Sequence, residues 1–512
     1  MSVVLNKSTI GWSSNLTQVE NQVKGLIAAA EANIERLGAQ IRELETLRQK
    51  ERTVLATLRR MITPIGKLPT ELLVEIFKLA VQTPLLRDPP DANRLYDGEY
   101  REALRKVLCL AHVSPYWRHI IHNTPQLWAE GVLDFRCNRE PKDPYLVELK
   151  AMLNRSAPHK ISVSLHTGNR YLENVVPSVF TATVARWRTL ECRLQIFPSF
   201  EQLPSENFAS LERLHLSGLW SQTAPITVFL SSPLTHFTLR CEAGTVKLFQ
   251  LPWGQLTHIE ILDESMSGCR SVLLQGHNLI SATLHTSLKW DSDLASAHSP
   301  VVVLPFLETL NFTVWNCKTV PVDGLEVLFM PLSLPALKTL NIEFYAEEEE
   351  SWPTKVFFDF LDRAHKLERI KFTYSSIYAE DLVSLLQHTP ALKTFELLGC
   401  WLCMQDDIFF TALRYDEADL TPLVPKLESL NFENVGEIRE GPFEQAICSR
   451  WWQDDGRVLA DGSLPRVSRL KDIQIAPSDM EEDMLSAGLK VRMQKLVEQG
   501  LNLDLTVGFL SN

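Results

Sequence analysis

The sequence predicts an α/β protein in three parts: a long N-terminal heptad helix, a small three-helix group, and a C-terminal repeat solenoid built on a parallel sheet. Three observations lead there. Apolar residues recur at alternating steps of three and four from Leu16 to Ile62. Proline-led helix starts cluster between Pro64 and Trp128. A six-residue apolar phrase then returns through the rest of the 512-residue chain. The corresponding divisions are 1–62, 63–130 and 131–512.

The heptad seam, counted from Leu16, runs through Glu20, Val23, Ile27, Ala30, Ile34, Leu37, Ile41, Leu44, Arg48, Glu51, Leu55, Leu58 and Ile62. All but Glu20, Arg48 and Glu51 are apolar. A 3.5-residue period keeps one stripe turned toward a partner helix. Ile27, Ile34 and Ile41 take position a, and Ala30, Leu37 and Leu44 take position d. Ile at a with Leu at d favours a parallel pair. Arg48 and Glu51 break the seam and are positioned to set register. Gly25 and Gly38 each weaken the helix by about 1 kcal/mol. A second copy of the chain is one candidate partner; packing on its own protein, or a hairpin, remains open.

The helix must stop near Thr63-Pro64, because proline disfavours helix at the residue before it. Pro69 then suits a first helical position, with Glu71 in the first turn. Leu72, Ile76 and Leu79 form one stripe, and Leu73, Phe77 and Ala80 the next. Thr83 to Tyr100, with Pro84, Pro89 and Pro90, reads as an inserted loop. A second helix carries Leu104, Val107, Leu108 and Ala111 on one face. Ser114-Pro115 reads as an N-cap and first-turn proline. Thr124-Pro125 repeats that signal.

The run Leu68-Pro69-Thr70-Glu71-Leu72-Leu73-Val74-Glu75-Ile76-Phe77, then Val113-Ser114-Pro115-Tyr116-Trp117-Arg118, then Thr124-Pro125-Gln126-Leu127-Trp128, resembles the F-box. The resemblance implies that Leu68, Pro69, Leu72, Ile76 and Phe77 meet a Skp-type adaptor. It implies that Trp117 and Trp128 hold the helices together with an edge near that adaptor. Two departures stand out. The insert between the first two helices is long, and Ser114-Pro115-Tyr116 replaces the family's Cys and basic pair before the tryptophan.

The repeat phrase is apolar-x-x-apolar-x-apolar. Its copies begin at Leu211, Leu234, Leu256, Leu279, Leu307, Leu337, Leu367, Leu392, Leu427 and Leu470, with Trp187 an earlier one. The spacings from Trp187 are 24, 23, 22, 23, 28, 30, 30, 25, 35 and 43. Alternate residues of a short strand point inward, and stacked units join their strands into a parallel sheet. Pro233, Pro305, Pro335, Pro390, Pro425 and Pro465 sit upstream, where no ladder donor is lost. The segments 356–361 and 381–386 read as intervening helices. The copies resemble degenerate leucine-rich repeats. That family often places Asn or Cys three residues past the last apolar position, and here Cys400 clearly sits there. The residues between the last two apolar positions should face the concave side: His215, Thr238, Glu260, Thr283, Asn311, Asn341, Lys371, Glu396, Asn431 and Gln474. Of these, His215, Glu260, Asn311, Asn341, Lys371, Glu396 and Asn431 are the candidate target-binding residues.

Composition narrows the function. Apolar residues make up 45% and charged residues 22%, ordinary globular usage that permits a packed core. A net charge of −12 argues against a general nucleic-acid binder or a membrane-surface protein. Met1 to Trp12 shows no secretory leader pattern, and the longest aliphatic run, Val301 to Leu304, is far too short to span a membrane. Nine scattered cysteines suit a reducing compartment, cytosol or nucleus. No phosphate-binding loop, dinucleotide fingerprint, zinc-protease or nucleophile-elbow motif occurs, so no enzyme, metal or cofactor is expected. Cys400-Trp401-Leu402-Cys403 lacks a second ligand pair for zinc. Cys403 therefore reads as a buried thiol. Glu347 to Glu350 reads as a solvated acidic loop. His112, His119 and His122 should be partly exposed.

In overall layout the chain resembles F-box protein families of mushroom-forming fungi. That resemblance implies a substrate-recognition adaptor of a Skp-cullin-F-box ubiquitin ligase. The F-box would bind the Skp adaptor and through it a cullin, and the repeats would bind a protein target. A scaffold that binds the adaptor without ligase function is the alternative.

Overall fold

Helix α1 (Asn15–Ile62) follows the heptad run and ends where Thr63 turns extended before Pro64. A single 3-10 turn, Pro64–Lys67, leads to extended Leu68. Helix α2 (Thr70–Gln82) comes next. The Pro69 carbonyl accepts from the Leu73 N–H at 3.1 Å, so Pro69 sits one residue before the first helical position expected for it. Helices α3 (Glu99–Val113), α4 (Pro115–His122) and α5 (Pro125–Ala129) complete the helical segment. The computed structural model describes residues 15–82, 99–129, 132–134, 150–165, 181–194, 200, 205–218, 224–241, 244–287, 301–317, 325, 328–346, 354–436, 438–452, 464–476 and 486–504. Helix α3 claims Glu99 and Tyr100 from the expected insert, and the rest of that insert, 83–98, lies outside the described residues, as does the acidic run 347–350. The chain divides into two compact units, Met1–Leu79 and Ala80–Asn512. No helix among the described residues is long and apolar enough to cross a membrane.

The second unit is a leucine-rich-repeat-like solenoid on one fourteen-stranded sheet, every pairing in it parallel. Its strands are β1 (Val132–Asp134), β2 (Ile161–Leu165), β3 (Trp187–Arg193), β4 (Arg213–Ser217), β5 (His236–Arg240), β6 (His258–Glu264), β7 (Ser281–Ser287), β9 (Thr309–Cys317), β11 (Thr339–Ala346), β12 (Arg369–Thr373), β13 (Thr394–Leu398), β14 (Ser429–Glu433), β15 (Asp472–Ala476) and β16 (Asn502–Asp504). The short strands β8 (Val302–Val303) and β10 (Leu332–Ser333) pair apart from it. The repeat phrase sets the register. Leu214, Phe237, Ile259, Ala282, Leu310, Leu340, Ile370, Phe395, Leu430 and Ile473 stand opposite one another in one buried row. Two residues on, Leu216 to Ile475 form a second. Burying each of the leucine, isoleucine and phenylalanine side chains contributes about 1.5–3 kcal/mol. Helices Thr354–Asp362 and Ala379–Gln387 occupy the two segments expected to be helical.

Each repeat is tied to the next at both strand ends. Upstream, one carbonyl accepts two N–H groups of the following repeat. Glu308 O, for example, takes Lys338 N at 2.9 Å and Thr339 N at 3.0 Å. The side chains in this row alternate in charge, with Lys338–Glu308 at 2.8 Å, Lys393–Glu368 at 2.9 Å and Lys471–Glu428 at 2.9 Å. Downstream, the chain leaves the strand through a left-handed residue two past the last apolar one: Gly218, Asp263, Tyr374, Gly399 and Asn434. At Gly399, φ is +65° and any Cβ would collide with the Tyr374 ring, so only glycine fits. One residue further lies the turn-ladder position. Cys400 fills it as expected, buried, its thiol 3.6 Å from Phe372 O of the preceding repeat. Glu264 fills it too, and the sequence had not indicated that. Its fully buried carboxylate accepts from the N–H of Gly244, of Val246 at 2.9 Å and of Ser265 at 2.8 Å.

Arginines fasten loops to the repeats that precede them. Arg450 is fully buried and donates to the carbonyls of Leu413 at 2.7 Å, Val424 at 3.1 Å and Leu423 at 2.5 Å. Burial pulls its pKa down to about 10, so the guanidinium stays charged at neutral pH. Arg363 grips Leu332, Phe329 and Met330 in the same way.

Candidate functional site

Helix α2 carries two apolar stripes with opposite fates. Leu73 and Phe77 are fully buried and Val81 nearly so. Leu72, Ile76 and Leu79 are exposed by 51%, 41% and 64%. The buried stripe continues into Val81 rather than Ala80, which is exposed. Ile65 in the preceding turn and Pro69 at the helix start are exposed, and Leu68 is half-buried. These side chains form an open apolar ledge on a turn and two and a half helical turns. Three exposed apolar residues at steps of four and three are what a partner's apolar groove can cover.

The structure corrects one assignment on this helix. Phe77 lies four residues from both Leu73 and Val81, on the buried stripe, and no partner can reach its ring. It fills interior space. Trp128 is corrected in part. It is 2% exposed, and its indole N–H donates to the Ile121 carbonyl at 2.8 Å. The Arg155 guanidinium lies 4.8 Å from its ring centroid, and His122 stacks on it at 5.7 Å. Trp128 therefore holds the helices together and offers no edge for a partner. Trp117 remains half-buried.

Around these tryptophans the local chemistry follows the sequence. Ser114 caps α4, accepting from Trp117 N at 3.1 Å, with Pro115 in the first turn. Thr124 departs from the parallel: its hydroxyl donates back to Ile120 O at 2.7 Å. On α3, Val107 and Ala111 are buried and Leu108 is exposed. His112, His119 and His122 are all exposed.

The second candidate surface is the sheet face opposite the apolar rows. Register places His215, Thr238, Glu260, Thr283, Asn311, Asn341, Lys371, Glu396, Asn431 and Gln474 side by side, one per strand. At about 4.8 Å per strand the row is roughly 45 Å long. Part of it is knitted together. Asn341 Nδ2 donates to Asn311 Oδ1 at 2.7 Å, Asn311 Nδ2 to Thr283 Oγ1 at 2.8 Å, and Thr238 Oγ1 to Glu260 Oε2 at 3.3 Å. These bonds fix where amides and carboxylates point, a rigid polar strip rather than a set of free side chains.

One residue per strand understates this face. Strand alternation adds a row on either side, and the sequence held that signal in its period of two. Upstream lie Arg213, His236, His258 and Arg369, and downstream Arg240 and Glu343. Glu191 of β3 extends the central row beyond His215. His236 and His258 stack at 4.3 Å with their planes 1° apart. Each ring Nδ1 lies 2.9 Å from its neighbouring threonine hydroxyl, Thr235 or Thr257. Burial lowers the pKa of His215, His236 and His285 below 6.5, and for His236 the neighbouring His258 adds to it. Those three rings therefore hold a proton more weakly than a free imidazole.

Cys400 and Cys403 are buried thiols. Burial raises Cys400 to about 12 and Cys403 well above its ordinary value, and Cys403 Sγ donates to Cys400 O at 2.9 Å.

No protein-family model matches the chain, and no curated protein matches it in sequence. Among the solved structures that resemble it loosely are the following three. A chain of the yeast Rad7–Elc1 complex is 14% identical, aligned over 69% of this chain and 78% of that one, with a TM-score of 0.36. A protein from Bacteroides fragilis is 12% identical over 66% and 80%, with a TM-score of 0.29. A chain of the TLR13–ssRNA13 complex is 16% identical over 68% and 55%, with a TM-score of 0.27.

Proposed function

We propose that the chain is a non-catalytic adaptor that docks a Skp-type subunit of a cullin ubiquitin ligase and presents a protein target held by its repeats. The observation that carries this reading is the open ledge of Leu72, Ile76 and Leu79 behind the Pro69 turn. It lies on the segment whose sequence resembles the F-box opening. Leu68, Pro69, Leu72 and Ile76 would seat the adaptor. The polar strip from His215 to Asn431 would hold the target.

The mechanism is proximity. One surface holds the ligase and the other the target, which raises the effective concentration of a target lysine near the conjugating enzyme. The bond-making chemistry belongs to other subunits. The chain would work in the cytosol or nucleus, without metal or cofactor.

Leu72→Asp with Ile76→Asp tests the ledge directly, because both side chains are exposed and their loss leaves no cavity. Co-purification with the Skp adaptor should fall by more than ~100-fold, while far-UV circular dichroism and Tm stay within error of wild type. Undiminished binding would remove the interface. A cullin in the purified complex supports the ligase reading; the Skp adaptor without cullin favours the scaffold.

A further inference from the structure

Helix α1 exposes all thirteen of its described large aliphatic side chains, from 47% at Leu55 to 75% at Ile62. A helix of 48 residues is about 72 Å long. Helices in water owe most of their stability to a packed apolar face, and this one also carries Gly25 and Gly38. The question is what covers the face, and its charges answer it.

We propose that α1 pairs with α1 of a second copy as a parallel, in-register two-stranded coiled coil, its register set by Arg48, Glu51 and Arg52. The inference is independent of the adaptor reading. In such a pair each a or d side chain enters a hole made by four residues of the facing helix. Arg48, at position a, enters the hole formed by Leu44, Leu47, Arg48 and Glu51 of the second copy. Glu51, at position d, enters the hole formed by Arg48, Glu51, Arg52 and Leu55. Each Glu51 thus meets two arginines of the other helix, and the breaks at Arg48 and Glu51 become a ring of ion pairs. On either side of it, Ile27 to Leu44 and Leu55 to Ile62 pair with themselves.

Other pairings lose this match. A parallel slip of one heptad sets one Arg48 among Leu37, Gln40, Ile41 and Leu44, keeps only one of the two Arg48–Glu51 contacts and loses both contacts with Arg52. An antiparallel pair with full overlap faces Glu51 with Ile27 and Arg48 with Ala30, charges against apolar side chains. An antiparallel pair centred between Arg48 and Glu51 does join those two. It covers only Leu37 to Ile62, however, leaving Val19, Val23, Leu26, Ile27 and Ile34 in water. Only the parallel, in-register pair joins each Glu51 to Arg48 and Arg52 of the other copy and also covers the whole stripe. A polar residue in an apolar seam that fixes register is the best-attested use of a buried charge.

The consequence is bivalency. Parallel pairing brings the two copies of Ile62 together, so both Pro69 turns emerge from the same end of the coiled coil. Two ledges and two polar strips then belong to one particle.

The test uses the full-length chain with Cys109→Ser and Cys448→Ser, which removes the two thiols exposed among the described residues, and with Cys137→Ser and Cys317→Ser as well. Sedimentation should give a dimer at concentrations above about 1 µM. Ile34→Asp with Ile41→Asp should weaken it at least ~100-fold, with the repeats' thermal transition unchanged. Leu58→Cys, at position d, should cross-link to itself on mild oxidation, because a disulfide needs Cα atoms within ~7 Å. The antiparallel pair centred on Arg48 and Glu51 holds the two copies of residue 58 about 25 Å apart and cannot cross-link there. Arg48→Glu should weaken the dimer more than ~10-fold, and adding Glu51→Arg should recover most of that loss. A monomer, a higher oligomer, a dimer indifferent to Arg48→Glu, or a dimer that fails to cross-link through residue 58 overturns the proposal.

Discussion

The same residue types do opposite things in the two halves of this molecule. In the repeats, leucine, isoleucine and phenylalanine recur with strand spacing and vanish from solvent, row upon row. In α1 and on one stripe of α2 they recur with helical spacing and stay in water. The difference is whether a periodic stripe finds its complement within one chain. A solenoid supplies its own, because each repeat faces the next. A lone helix cannot, so its apolar stripe stays exposed within one chain.

Substitutions can break that contrast, and the largest effect should come from the solenoid interior. Phe312→Ala removes a ring that contacts Phe329 at 5.2 Å and Phe344 at 6.4 Å, and should cost about 3–5 kcal/mol in chemical unfolding. Arg450→Ala strands three carbonyls in the interior and should cost a similar 3–5 kcal/mol. At the other extreme, Leu72→Ala or Leu44→Ala should change the stability of the isolated monomer by less than ~0.5 kcal/mol. A loss of several kcal/mol there would show that these stripes are already covered.

A smaller effect sharpens the contrast through pH. The depressed pKa values of His215, His236 and His285 mean that the unfolded chain binds protons which the folded sheet refuses. Stability contributed by the neutral rings is complete above pH 6.5 and declines as pH falls below it. The Tm of the solenoid should drop by about 1–2 °C between pH 7 and pH 5, and His215→Gln with His285→Gln should flatten that slope. The carboxylates held below 4.5 by Lys160, Arg188 and Lys393, namely Glu212 and Glu368, act in a lower window and do not enter above pH 5.

Much of the architecture was legible because its causes are local. The repeat phrase fixes strand, register and inward face together, so ten copies predicted ten neighbouring strands. Strands β1, β2 and β16 escaped because their sequences lack the leading leucine. Ile161-Ser-Val-Ser-Leu165 alternates without it, and Asn502-Leu-Asp504 holds a single apolar residue. Phe77 was misplaced because Leu72/Ile76 and Leu73/Phe77 are both good helical stripes. Which of them faces inward depends on packing that no local pattern encodes. Glu264 was invisible for a similar reason. A buried carboxylate satisfied by backbone N–H groups looks, in sequence, like any surface glutamate.

The alternating charges along the upstream rim act as a parity check on the order of repeats. Glu308, Lys338, Glu368, Lys393, Glu428 and Lys471 alternate in sign from one strand to the next. Excising residues 308–337 would set Lys338 beside Ile280 and leave every later pair intact. Excising 338–367 would seat Glu368 against Glu308, like beside like. Excising 338–392, two turns from inside the row, would seat Lys393 beside Glu308 and keep opposite neighbours throughout. Inside this row the scaffold is therefore easiest to resize two turns at a time.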